Sequence, residues 1–425
     1  MTVDVSPVQR LWKRLFLPIG DHWMASGQLY SARLAGQAVG LALTVVSARV
    51  LQPEGRGEFV TVSAGAVIGA QALNVGLSSS LAVLFSRRPH RIGRYRRLLV
   101  ALAAAWVVLL VGLGVVGSWS GAGISGPFRW WPFWAAWIPL QLLGLYQGAA
   151  LLARQDGQAL SRIELTGRLS AMALGGASLL AFGGSLAPFL TAIIAADGVI
   201  AVLGARHLAR VAPGAPARRL RPFLEKAAVM GLRAYPPLVL FFLLVKSDVL
   251  VLRTLRGAAE TGVYSIASQI VDVALILPAT IGALALPRVV RAKRPAAELL
   301  RVLRPTALLV GALAILLALF GRWAIVGLFG DPYAGAYAAL LLLLPGLACL
   351  SLQGLLGQYF AARGFPAFVS FYWLLGFATN LGLNLLLVPR FGFLAAAATS
   401  SVGYALVFLL MWRRFLSDRR AESVP

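Results

Sequence analysis

Apolar runs of about 20 to 27 residues, separated by short polar or basic turns, fill this sequence almost from end to end. Each run is long enough to cross roughly 30 Å of hydrocarbon as a helix. No water reaches backbone N–H and C=O groups there, so such runs satisfy their own hydrogen bonds by coiling. The spans read as 25–51, 60–85, 98–118, 130–153, 160–182, 186–206, 228–252, 261–287, 305–328, 336–361, 366–388 and 394–412. The fold class is therefore an all-α polytopic membrane protein. With 13% charged residues and a mean hydropathy of +0.80, a soluble chain is excluded.

The net charge of +24 is distributed by side. One set of flanks holds Arg10, Lys13, Arg14, then Arg87 to Arg97, Arg206 to Lys226, Arg288 to Arg304, and Arg413 to Arg420; the other holds scattered cations such as Arg56, Arg129, Arg256 and Arg390. Cytoplasmic loops collect Lys and Arg, so both termini are expected inside the plasma (inner) membrane. Most of the charge is then topology and anionic-lipid contact, and nucleic acid is not an expected partner. The basic amphipathic piece at 8–16 is suited to the inner surface.

The chain repeats itself at an offset of about 205 residues. Leu51 to Phe59 answers to Leu255 to Tyr264, Arg87–Arg97 to Arg288–Arg304, Pro139 to Pro345, and Leu152–Ala159 to Ala361–Ala367. Two six-helix lobes of equal orientation are expected: a segment 1–24, a first lobe 25–206, a linker 207–227, a second lobe 228–412 and a tail 413–425. Two such halves with a site between them near the midplane form a transporter architecture.

No phosphate-binding loop is present, the loops are too short for a catalytic domain, and one cysteine and three flanking histidines offer no metal site or cofactor site. Charge inside helices is the remaining signal. The first span carries a seam of Ser26, Tyr30, Arg33, Gln37, Gly40, Thr44 and Ser47, stepping by three and four so as to share one face. A lipid-facing arginine costs at least ~2.5 kcal/mol, so Arg33 should face protein or a wet cavity. Arg33, Gln37, Arg49, Arg168, Arg233 and Lys246 are the candidates for substrate contact. Snorkelling to a surface is the alternative for Arg49 and Arg253, and pairing with Glu164 the alternative for Arg168. Asp197, Asp248 and Asp272 lie near mid-membrane and are candidates to carry a proton or hold Na⁺, or to make structural hydrogen bonds. Asp248 is expected to meet a cation on another helix, and Pro236-Pro237 to interrupt the seventh helix.

The Leu-x-Pro-Glu-Gly-Arg-Gly-Glu-Phe turn, Lys246-Ser247-Asp248 followed by Glu260 to Ala267, and Val388 to Ala396 together resemble polysaccharide (oligosaccharide) flippases of the multidrug/oligosaccharidyl-lipid/polysaccharide (MOP) exporter superfamily. The resemblance runs from about residue 25 to 412. It implies a two-lobed, V-shaped bundle that moves a polyprenyl-diphosphate-linked oligosaccharide to the outer leaflet by alternating access, with Arg33 and Arg233 or Lys246 lining a central cavity. Polymerase or assembly proteins would be its partners. The lipid II flippases of the superfamily usually carry two further helices; this sequence shows no sign of them, which argues against that assignment. A planar arginine fork suits a diphosphate. Two other classes remain open: a MATE-like small-molecule antiporter, which would want an acidic cavity, and an integral-membrane glycosyltransferase, which would need Glu54 or Glu58.

Overall fold

The computed structural model describes residues 23–87, 92–119, 129–213, 221–292, 294–364 and 366–423. The amphipathic piece at 8–16, part of the basic loops and linker, and the side chains of Arg33 and Arg233 lie outside the described residues.

Twelve α-helices follow one another among the described residues: α1 (Trp23–Asn74), α2 (Leu77–Arg87), α3 (Ile92–Trp119), α4 (Trp131–Ala153), α5 (Gly157–Ala181), α6 (Leu186–Val211), α7 (Arg221–Arg256), α8 (Ala258–Ala274), α9 (Ile276–Arg291), α10 (Pro295–Phe329), α11 (Ala336–Ala362) and α12 (Ala367–Ser423). Eight helices, two of them kinked, are long and apolar enough to span a membrane. α1 breaks at Gln52, which takes φ 58°, and α12 at Gly392, φ 59°, so each supplies two arms. Pro53 opens the second arm of α1, where its missing N–H has no helical partner to lose. The turn at Val75-Gly76 starts α2, and α8 runs on into α9 at Leu275. Counted this way, the eight account for ten of the twelve expected spans; the other two, 160–182 and 228–252, fall on α5 and α7, which are helical but less apolar. One expectation fails: α7 continues through Pro236 and Pro237 without a break. Tyr235 beside them donates to the Ala72 carbonyl at 2.9 Å, anchoring α7 on α1.

One apolar cluster lies wholly within the first half, from Leu51 to Ala212. A second draws Ala48 and Ala64 of α1 into a core otherwise built from 249–397, and a third joins α7, α9, α10, α11 and α12. The halves meet where α1 packs on α7 and α8 and where α2 packs on α7. α9 instead packs on α10 and α11.

The α1–α8 contact is so close that only glycine fits. A Cβ on Gly57 would stand 1.8 Å from the Ala258 carbonyl oxygen, and one on Gly262 would stand 1.8 Å from that of Pro53. Pro53 and Ala258, like Gly57 and Gly262, differ by the same 205 positions. The contact is therefore reciprocal, as a unit repeated in parallel about a two-fold axis would make it.

A clamped end, a buried polar network and a cavity

At the end of the bundle remote from the basic loops, charges join the halves. Glu58, 5% exposed, accepts from Arg129 at 2.8 Å, from the indole N–H of Trp130 at 2.9 Å, and from Arg253 of α7. Arg49 donates from Nε to the carbonyl of Leu328 at 2.7 Å and from its terminal nitrogen to that of Gly327 at 2.6 Å. Those are the last carbonyls of α10, where a cation stabilises the helix by about 1 kcal/mol. Tyr333 donates to the Ala48 carbonyl at 2.9 Å. Arg56 is buried against the Phe59 ring and donates to Ser47 of the seam at 3.2 Å. Glu260 pairs with Arg256 and accepts from the Phe393 amide, securing the α12 kink. Arg49 and Arg253 thus have protein partners at this end. Glu58, with two arginines on it, is built as a clamp.

In the second half the acids separate into two environments. Lys246 of α7 donates to Asp272 of α8 at 2.7 Å, and both remain partly exposed. Among the described residues Asp248 makes no ion pair with a cation on another helix, contrary to the expectation from sequence. Its carboxylate, 1% exposed, accepts from the Tyr264 hydroxyl, from Ser400 at 3.0 Å and from the Val249 amide at 2.7 Å. The chain of bonds continues: Asn380 donates to Ser400, Asn384 to Asn380, and Thr399 to Asn384 at 3.3, 3.1 and 2.8 Å. Three donors on one carboxylate replace the missing counter-ion. The α12 members of this network were missed in the sequence, although Asn380 and Asn384 stand one turn apart in an apolar span.

In the first half, a cavity of about 560 Å³ opens between the second arm of α1, α2, α4, α5 and α6. It lies toward the end that carries the basic loops. Its polar lining is Gln71, Ser78, Ser79, Gln141, Gln147, Glu164 and Asp197. Asp197 accepts from the Trp137 indole at 2.6 Å. Arg168 does not pair with Glu164. Its side chain lies against Gly36 and Gly40 of α1, where added Cβ atoms would come within 3.0 and 2.8 Å of it, and it acts electrostatically on Asp197. Gln37 is half-buried on the same arm. Glu164 has no ion-pair partner among the described residues. Below the cavity, Asp156 caps α5 by accepting from the Ala159 amide and meets His207 of α6 at 2.8 Å. Burial works against ionisation of Asp156, but the His207 hydrogen bond, the Ala159 amide and the His207 and Arg154 charges together hold its carboxyl below the usual range.

No protein-family model and no curated protein matches this sequence. Solved structures do match the fold. The lipid II flippase MurJ in an inward closed conformation aligns with TM-score 0.73 at 11% identity, over 93% of this chain and 90% of that one. A multidrug resistance MATE family transporter of the MOP superfamily, inward-facing, aligns with TM-score 0.71 at 14% identity, over 91% and 95%. A MOP superfamily transporter from Pyrococcus furiosus, described as having a binding pocket of reverse polarity, aligns with TM-score 0.65 at 15% identity, over 94% and 96%. The chain is thus a multi-pass, all-α membrane protein. Its fold is the one that these transporter and flippase structures share.

Proposed function

We propose that the chain is an alternating-access transporter carrying a polyprenyl-diphosphate-linked oligosaccharide from the inner to the outer leaflet of the plasma membrane. The observation that carries this reading is how the cations within the helices and at their outer ends are used. Arg49, Arg56, Arg129, Arg253 and Lys246 are occupied by carbonyls, hydroxyls or carboxylates. That narrows the headgroup contacts to Arg33 and Arg233, one near the start of the first helix of each half, with Arg168 against α1 and Gln37 beside it. An anion is the complement of such a set, and guanidinium forks suit a diphosphate. The halves 25–206 and 228–412 are the moving lobes, the basic end is cytoplasmic, and the lipid tail stays in the bilayer. Asp248 is the first candidate for a coupling proton or Na⁺, because it is a single carboxylate held by exchangeable donors from α7, α8 and α12; Asp272 and Asp197 are secondary. A polysaccharide polymerase or assembly complex would receive the product.

A second reading, a MATE-like antiporter of small cations, is favoured by one observation, the acid-lined cavity of the first half. The two readings separate on one test. Arg33→Ala should abolish surface polysaccharide while membrane insertion is unchanged, and normal surface polysaccharide from that variant would sink the flippase.

A further inference from the structure

The cavity of the first half is the feature that a headgroup gripped by arginines leaves unexplained. Its volume lies within the usual range for ligand sites. Its charged lining is acidic, Glu164 and Asp197, with no Lys or Arg among the residues that line it. The amides and hydroxyls are unevenly satisfied. Gln147, 4% exposed, spends its amide nitrogen on the Ala201 carbonyl at 2.9 Å. The Oε1 of Gln71 is buried and has no hydrogen-bond partner. A buried acceptor of this kind is costly unless something donates to it. No aromatic or Met side chain lines the space, so it offers no flat apolar surface to a lipophilic aromatic cation.

We infer that this cavity is a glycan subsite: it receives the neutral or amino-bearing sugars of the lipid-linked substrate through their hydroxyl and ammonium donors, and its carboxylates exclude the diphosphate. The inference rests on the flippase reading. It divides the work between two regions, with the anion held at the cations of the first helices and the sugars held by the acceptors Glu164, Asp197, Gln71 and Gln147. Carboxylates are suited to this, since each oxygen accepts from one of two neighbouring hydroxyls.

The test uses the full chain with Cys349 replaced by Ala and a single new cysteine at Ser79 or at Gly144. Gly144 has open space where a Cβ would stand, so that variant folds even if the other does not. The rates of reaction with cationic and anionic methanethiosulfonates read the charge of the cavity. The cationic reagent should react faster, and Glu164→Gln should cut that preference by roughly tenfold. Glucosamine disaccharide should slow labelling, and pyrophosphate and tetraphenylphosphonium should not. Equal rates for the two reagents would overturn the inference, as would protection by pyrophosphate. Protection by tetraphenylphosphonium alone would overturn it in favour of a small-cation site. Loss of glycan export in Arg33→Ala reports on the parent reading and leaves this labelling pattern unchanged, so the two failures are distinguishable.

Discussion

Adding one methyl group at Gly57 should push the bundle open at its clamped end. The new Cβ would lie 1.8 Å from the Ala258 carbonyl oxygen, whereas ordinary contact begins at 3.4 Å. The obstacle is backbone on both sides, so no side chain can rotate away. Either α1 and α8 separate or the helices bend. Overpacking of this kind costs typically 1–3 kcal/mol. In the alternating-access reading this contact is broken when the end opens, so that cost falls on the closed state and shifts the balance toward the open one by roughly 5–150-fold. Gly262→Ala makes the reciprocal clash with Pro53 and should have an effect of the same size. The double variant should show less than the sum, since separation forced by one methyl relieves the other. A spin-label distance between the second arm of α1 and α8 reads the opening directly. Unchanged distance distributions in both single variants, with unchanged melting, would refute the reciprocal contact as a closing surface.

Glu58→Gln should cost about 3 kcal/mol in detergent unfolding, because Arg253 is then left partly buried without its carboxylate. Arg129, half-exposed, should matter far less when replaced by Ala. At the opposite end, the Asp156 carboxyl is held below its ordinary value of 3.8. Its contribution is complete above that value and is lost as pH falls through the lowered one, so melting curves of the wild type and Asp156→Asn should converge at acid pH. Asp248→Asn should leave glycan binding intact and abolish dependence of transport on a proton or Na⁺ gradient; retained gradient dependence in flux assays would move the coupling group elsewhere.

The fold was legible because the bilayer permits so few answers. Apolar run lengths located most of the crossings, and the echo between Leu51–Phe59 and Leu255–Tyr264 located the turns that the structure brings together at the clamped end. The site was less legible because charge within a helix does not disclose its partner. Arg49 looked like a cavity residue, and it caps α10 nearly 280 positions away, a contact that no periodicity encodes. Asp248 looked in need of a cation, yet neutral donors on α8 and α12 serve it, and these become neighbours only when the helices pack. The prolines of α7 misled for a related reason. Within membranes, neighbouring helices and local adjustment can accommodate the carbonyls a proline frees, so the helix need not break.

The most direct measurement places the protein in liposomes containing polyprenyl-diphosphate-linked oligosaccharide and follows exposure of the sugar to a lectin that cannot cross the bilayer. The wild type should expose inner-leaflet sugar on imposing an ion gradient, and the folded Arg33→Ala/Arg233→Ala double variant should not. Equal exposure from the two proteins would contradict the central claim that cations on the first helices of the two halves grip the diphosphate.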